Sequence, residues 1–389
     1  MKLLMITQIY PSGATGTSVK TRNTIEYFLK LGYSVDVCCI YHKSMIKNSF
    51  VAPKLHIYYV NAEVVYRFAL RYIMMALSLL FSLKPLRVNK LYNGNLNLLI
   101  RKLCKKNSYD YILFDGFSTL QYADTVNRKH IYIDDEDITD LMLQRLSKTS
   151  NFVLKFFYVS EYIKCRLYEK KYLQRVGQIW AISPNTLSRL KTLSTSKTLL
   201  MPTYVPIHEN AFRLNSRTIV FTGLLSWPEN VNGLKWFLET CWGRILSEIP
   251  DTKLFVVGQL ADNHFIEYLS KYSNVLYLGY VNNLADVYTQ SALAIAPILI
   301  NCGIKVKILT YLSYGMPIVS TPQSTWGLTT TQGICIANQS QFTQKIIELL
   351  HSSTKRQRLS RESRLNIQTN HSLKILRAFF IKAGFIETQ

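Results

Sequence analysis

Two α/β domains, each a doubly wound parallel sheet, are what this sequence predicts, and three observations carry that reading. The chain has 389 residues, more than one ordinary hydrophobic core supports. Short apolar runs alternate with helix-like stretches along most of its length. In the second half, four of those runs end at a turn or breaker, mostly glycine, before a helix pattern resumes.

The elements follow in order. Lys2–Gln8 reads as a buried first strand, because its apolar run is too short for a targeting segment and leads into a turn. A glycine-rich loop follows from Pro11 through Gly13 to Gly16. A helix over Ser18–Leu31 is stopped by Gly32, and Tyr33–Ile40 forms the next strand. Further strands are expected at Tyr109–Phe114, ending at Asp115 and Gly116, and at His130–Ile133, ending in the acidic run Asp134–Asp137. The stretch Lys148–Lys191 carries nine Lys/Arg and two Glu and reads as long helices. Within it, a strand at Ile179–Ile182 precedes Ser183, Pro184 and Asn185, a good helix start.

Sheet-like periodicity lapses around Pro202 and Pro206. This places a first, acceptor-side domain over residues 1–205 and a second, nucleotide-binding domain over 206–369. A C-terminal helix at about 370–389 is expected to pack back on the first domain. Strands in the second half fall at Thr218–Thr222, Lys253–Val257, Val275–Leu278 and Leu293–Pro297, with an amphipathic helix over Asn232–Leu246. Two such sheets facing each other make a cleft at their strand carboxyl edges, where ligands of these folds bind.

Net charge is +22, from 46 Lys+Arg against 24 Asp+Glu. That excess implies an acidic partner. Nucleic acid is excluded as the expectation, because the basic stretches lack the glycine-aromatic signatures of RNA modules. Seven scattered cysteines without a CxxC pair point to a reduced, cytoplasmic setting with neither zinc site nor disulfide framework. Tyr72–Leu83 is twelve residues without a charge, flanked by Arg67, Arg71, Lys84, Arg87 and Lys90. It is shorter than the roughly 20 residues a bilayer span requires. It suits either an interfacial helix on an anionic membrane face or a core helix with snorkelling ends.

One segment points to a ligand. Asn301–Pro317 (NCGIKVKILTYLSYGMP) reads as a glycine turn, a helix and a glycine stop between two apolar strands. The helix would start just after Gly303, with Lys305 and Lys307 in its first turn. Lysines normally favour the other end of a helix. At this end, free N–H groups and two cations suit an anion, a diphosphate above all.

With these residues in view, the chain resembles the GT-B glycosyltransferases, specifically the large retaining group with nucleotide-sugar donors, glycosyltransferase family 4. Val220–Phe237 is similar to that group's FTG-xxx-W-xx-N opening, with Gly223, Trp227 and Asn230 in register. Leu254–Gly258, Leu278–Val281, Ala296–Pro297, Gly303–Leu309, Gly315–Thr321 and Trp326–Leu328 follow in family order and spacing. The N-terminal half matches more loosely, through the glycine loop, Leu31–Val35 and Tyr109–Asp110.

The resemblance implies two Rossmann-like domains and sugar transfer from a nucleotide diphosphate to a glycan or lipid-diphosphate-linked acceptor. Configuration would be retained, with no cofactor and no essential metal. The setting implied is bacterial surface polysaccharide assembly (capsule, O-antigen or exopolysaccharide), at the inner face of the cell membrane. Lys305 and Lys307 would contact the donor phosphates, with Gly303 and Ile304 beside them. Gly279 and Val281 would lie near the base, and Gly13, Gly16, Lys20 and Arg22 would approach from the first domain. The family's second glutamate in this segment, a ribose contact, is matched by Thr310, and the first by Cys302. A GT-B-shaped partner of an active transferase, without activity of its own, is the alternative that Thr310 motivates.

On the acceptor side, Asp115, Asp135 and Asp137 are the candidate catalytic carboxylates, each at a strand end that would open on the cleft. Asp135 and Asp137 also have the spacing of a metal-binding DxD, and Asp137 equally suits a helix N-cap. Asp115 equally suits a turn before Gly116.

Overall fold

The computed structural model describes all residues except 13–15, 42–49, 62–81, 127–129, 135–136, 209–211, 260, 302 and 387–389. The chain divides into two compact units, Met1–Met201 and Pro202–Gln389. The break falls at the start of the stretch where sheet periodicity lapses. The C-terminal helix Leu373–Ala383 groups with the second unit.

The first unit holds a seven-stranded parallel sheet in the order β3-β2-β1-β4-β5-β6-β7. Its strands are β1 (Lys2–Thr7), β2 (Ser34–Tyr41), β3 (Leu55–Asn61), β4 (Tyr111–Asp115), β5 (His130–Asp134), β6 (Gln178–Ala181) and β7 (Lys197–Leu200). The central strands are buried on both faces, as KLLMIT and SVDVCCIY show. This is why they read as near-continuous apolar runs and not as alternating ones. The edge strands β3 and β7 are only partly buried, and the sequence reading places no strand at either. Over 148–191 the chain forms the helix Phe152–Leu173, then β6 where a strand is expected at Ile179–Ile182, then the helix Pro184–Lys191. The expected start at Ser183 is present: its side chain accepts from the Thr186 N–H, and Pro184 sits in the first turn.

The second unit holds a six-stranded parallel sheet, β10-β9-β8-β11-β12-β13. These are β8 (Thr218–Thr222), β9 (Lys253–Val257), β10 (Val275–Gly279), β11 (Leu293–Ala296), β12 (Ile318–Ser320) and β13 (Ile334–Ile336). The helical stretch expected at Asn232–Leu246 is longer and broken. It runs as Pro228–Phe237, a π turn at Leu238–Trp242 and Gly243–Glu248. In both sheets sequential strands lie on both sides of the first, as double winding requires.

Among the described residues no helix is long and apolar enough to cross a membrane. Most of the apolar segment Tyr72–Leu83 lies outside the described residues.

Candidate functional site

The second unit gathers its expected donor residues at the carboxyl ends of its strands. Gly223 follows β8, and its N–H donates to the Val257 carbonyl at 3.0 Å. Gly258 follows β9 and donates to the Gly279 carbonyl at 2.8 Å. A side chain on Gly258 would collide with the Gly223 carbonyl, so the turns after β8 and β9 touch only because both carry glycine.

The helix Pro228–Phe237 starts beyond this turn and delivers Asn230. Its amide donates to the Leu224 carbonyl at 2.8 Å, and its Oδ1 accepts from Lys307 Nζ at 2.7 Å. The Lys307 ammonium also lies 4.1 Å from the Phe221 ring centroid, within cation–π range. Gly223 makes the room: a Cβ there would stand 2.8 Å from Lys307 Nζ and 2.9 Å from Asn230 Nδ2. Strand, turn and two helices thus converge on one ammonium.

Burial pushes the Lys307 ammonium well below the usual lysine range, and the charge of Lys305 adds to this. Among the described residues no carboxylate pairs with Lys307; its partners are the Asn230 amide and the Phe221 ring. A half-buried cation held by neutral partners is incompletely compensated. An anion would complete it.

Lys305 occupies the N-cap position of the helix Val306–Ser313 and makes no side-chain cap there. Its ammonium donates to the Gly303 carbonyl at 3.1 Å, and Gly303 has φ +49°. The first turn holds no acidic residue. The helix therefore begins two residues later than the sequence suggests, at Val306, with Lys305 at the N-cap position and not in the first turn. Thr310, one turn on, donates to the Val306 carbonyl at 3.0 Å. Ile304 and Val281 pack against one apolar cluster that includes Tyr288 and Tyr311. Burial pushes Tyr311 up to about 12, and its neutral hydroxyl accepts from the Thr222 N–H at 2.7 Å, fixing the end of β8.

In the first unit the expected residues separate. Lys20, in the helix Gly16–Lys30, pairs with Asp115 at the end of β4. Thr21 donates to the other Asp115 oxygen at 2.6 Å. Lys20 and Asp115 are 4% and 3% exposed. This corrects two expectations: Asp115 is neither a surface turn residue nor open to an acceptor, and Lys20 has its charge met inside the unit. Arg22 does not join them. It pairs with Glu26 at 2.9 Å and lies over the Phe50 ring at 4.5 Å.

Asp137 is 1% exposed and stands at the N-cap position of the helix Ile138–Lys148 without capping it. Its backbone is left-handed, with φ 46°, and its carboxylate accepts from the Thr186 hydroxyl. Arg189 approaches it at 4.0 Å while binding Asp140 at 3.1 Å and Glu169 at 2.6 Å. Asp137 therefore belongs to a buried network, which corrects the capping role. Gly13 and Asp135 lie outside the described residues, and Gly16 opens the helix Gly16–Lys30.

Thr21, Phe221 and Arg189 are the participants that sequence reasoning missed. Their partners are remote along the chain; Thr21 and Asp115 are 94 positions apart.

Residues 216–352 match a family model described as Glycosyl transferases group 1. A Klebsiella pneumoniae protein, described as an uncharacterized 44.6 kDa protein in a cps region, is 24% identical over 332 residues, 81% of each chain. The fold is similar to S. aureus TarM, crystallised as a variant with fondaparinux, alpha-GlcNAc-glycerol and UDP (TM-score 0.71, 8% identity, 98% of this chain and 99% of that one). It is also similar to Anabaena HepE in complex with UDP and glucose (TM-score 0.66, 10% identity, 99% of this chain and 100% of that one). The group 1 match thus spans the sheet of the second unit, and the two parallel sheets give the chain the GT-B fold of these solved glycosyltransferases.

Proposed function

We propose that this glycosyltransferase moves a sugar from a nucleotide diphosphate donor to a glycan or lipid-linked acceptor in bacterial surface polysaccharide assembly. The observation that carries the donor half is Lys307: a half-buried ammonium with neutral partners, beside a helix N-terminus and a second lysine. When the anomeric C–O bond breaks, its electron pair goes to the departing diphosphate. Lys305, Lys307 and the free N–H groups of Val306–Ser313 stabilise that charge. Gly279 and Val281 border the base in this reading, Ile304 lies beside the phosphates, and Thr310 meets the ribose with a hydroxyl. The UDP seen with TarM and HepE supports a nucleotide diphosphate donor. The cps-region relative supports capsule among the possible settings.

Retention of configuration and independence of metal belong to the same reading, since protein cations do the work a metal would do. The acceptor is placed on the first unit. Asp115 and Asp137 act there by holding Lys20, Thr21 and Thr186, because each is buried and already hydrogen-bonded. The protein works in the cytoplasm as a peripheral component of the inner membrane face.

Thermal shift against UDP-, GDP- and dTDP-sugars tests this reading, because a ligand that binds only the folded state raises its stability. One donor class should raise the melting temperature, and the same donor should be consumed in the presence of a glycan acceptor. The second reading, a non-catalytic GT-B partner, is favoured only by Thr310. Calorimetry showing no binding of any nucleotide or nucleotide sugar would establish it.

A further inference from the structure

We propose that the helix Phe152–Leu173 is the surface through which this protein docks on an anionic lipid bilayer. The inference rests on the peripheral membrane contact proposed above and locates it.

Asn151 caps the helix, accepting from the N–H groups of Val153 and Leu154 at 3.0 and 3.1 Å. The helix buries one face in the first unit, through Cys165, Tyr168, Tyr172 and Leu173. The opposite face should then be polar, and it is not. Phe152, Phe156, Val159, Ile163 and Leu167 recur at spacings of four, three, four and four, which aligns them along one side. They are 83%, 69%, 39%, 50% and 55% exposed, and Val153 beside them is 73% exposed. Soluble surfaces rarely leave so continuous an apolar stripe uncovered.

The charges choose the occupant. Both glutamates of the helix are turned inward. Glu161 accepts from the Leu86 N–H at 2.7 Å, and Glu169 binds Arg189. The exposed charges on the helix are cations: Lys155, Lys170 and Lys171. An apolar stripe edged only by lysines matches acyl chains beneath anionic headgroups. A second copy of the chain would set these lysines against themselves, which like-charge repulsion opposes. The helix is about 33 Å long at 1.5 Å per residue, and its apolar residues lie on one side. It suits lying in the interface and not crossing it.

The test is flotation of the full chain with vesicles of phosphatidylglycerol and phosphatidylethanolamine, and with phosphatidylcholine vesicles as the neutral control. The unaltered chain should float with the anionic vesicles and not with the neutral ones. Phe152→Asp/Phe156→Asp should reduce the bound fraction at least about tenfold while leaving the melting temperature unchanged. Lys155→Glu/Lys171→Glu, with the stripe intact, should weaken binding as added salt does. Failure of the unaltered chain to float overturns the peripheral-contact reading and this inference together. Equal flotation of the Phe152/Phe156 variant overturns the helix assignment alone. A dimer in solution that the same substitutions convert to monomer also overturns it, since a second copy then covers the stripe.

Discussion

Lys307 donates to Asn230 across 77 positions of sequence, and that hydrogen bond joins the two helices that face the turn after β8. The bond is neutral-to-cation, so it orients the ammonium without neutralising it. Asn230 is itself fixed by the Leu224 carbonyl. The lysine is therefore held in place but still short of a counter-charge.

This arrangement fixes a pH dependence. The folded chain holds the Lys307 pKa well below its ordinary 10.5. Between the depressed value and 10.5, the unfolded state binds more protons than the folded state, so the Lys307 contribution to stability rises with pH across that window and is lost below it. A bound diphosphate favours the protonated lysine. Nucleotide binding in the same window should take up protons and weaken as pH rises. Calorimetry in buffers of different ionisation enthalpy measures that uptake, and Lys307→Met should remove it.

Two glycines should respond differently to the same substitution. At Gly258 an added methyl strikes the Gly223 backbone carbonyl, which cannot step aside. Gly258→Ala should cost about 1–3 kcal/mol of stability or more, read from urea unfolding. At Gly223 the methyl meets the Lys307 ammonium and the Asn230 amide, both ends of side chains that can move. Gly223→Ala should cost less than about 1 kcal/mol and weaken nucleotide binding about tenfold, equivalent to roughly 1.4 kcal/mol.

Lys20 and Asp115 form a buried pair. Removing one partner strands the other charge, so Lys20→Met should destabilise the first unit by about 3–5 kcal/mol. Lys20→Met/Asp115→Leu removes both charges and should recover much of that loss. Denaturant melts of the three proteins decide: a double variant at least as unstable as Lys20→Met would show that the pair does not behave as a coupled unit.

Much of this was readable from sequence where one segment carries the information. The parallel strands of both central sheets, the Ser183 helix start and the lysines after Gly303 are local patterns. The edge strands β3 and β7 are harder to read because they are only partly buried and short of the continuous apolar character of the central strands. The contacts of Asp115 and Asp137 are hidden for another reason: a carboxylate at a strand end looks the same in sequence whether it faces solvent or a buried Lys20 or Thr186. Arg22 shows the same limit, since only its placement over Phe50 and beside Glu26 separates it from Lys20, two positions earlier.

Thr310 bears on how tightly the donor is held. Its hydroxyl proton goes to the Val306 carbonyl of its own helix, which leaves its oxygen to meet the ribose only as an acceptor. Thr310→Glu places a carboxylate where the family carries a ribose contact, and nucleotide affinity should rise severalfold, on the order of 1 kcal/mol for a charge-assisted hydrogen bond. Unchanged affinity by calorimetry would show that the ribose does not approach this helix.

The most direct test of the donor site is calorimetric titration of Lys305→Ala/Lys307→Ala with the nucleotide sugar that stabilises the unaltered chain. Binding and transfer should both be lost while the melting temperature of the ligand-free variant stays within a few degrees of the original. Unchanged binding and turnover in that double variant would contradict the account.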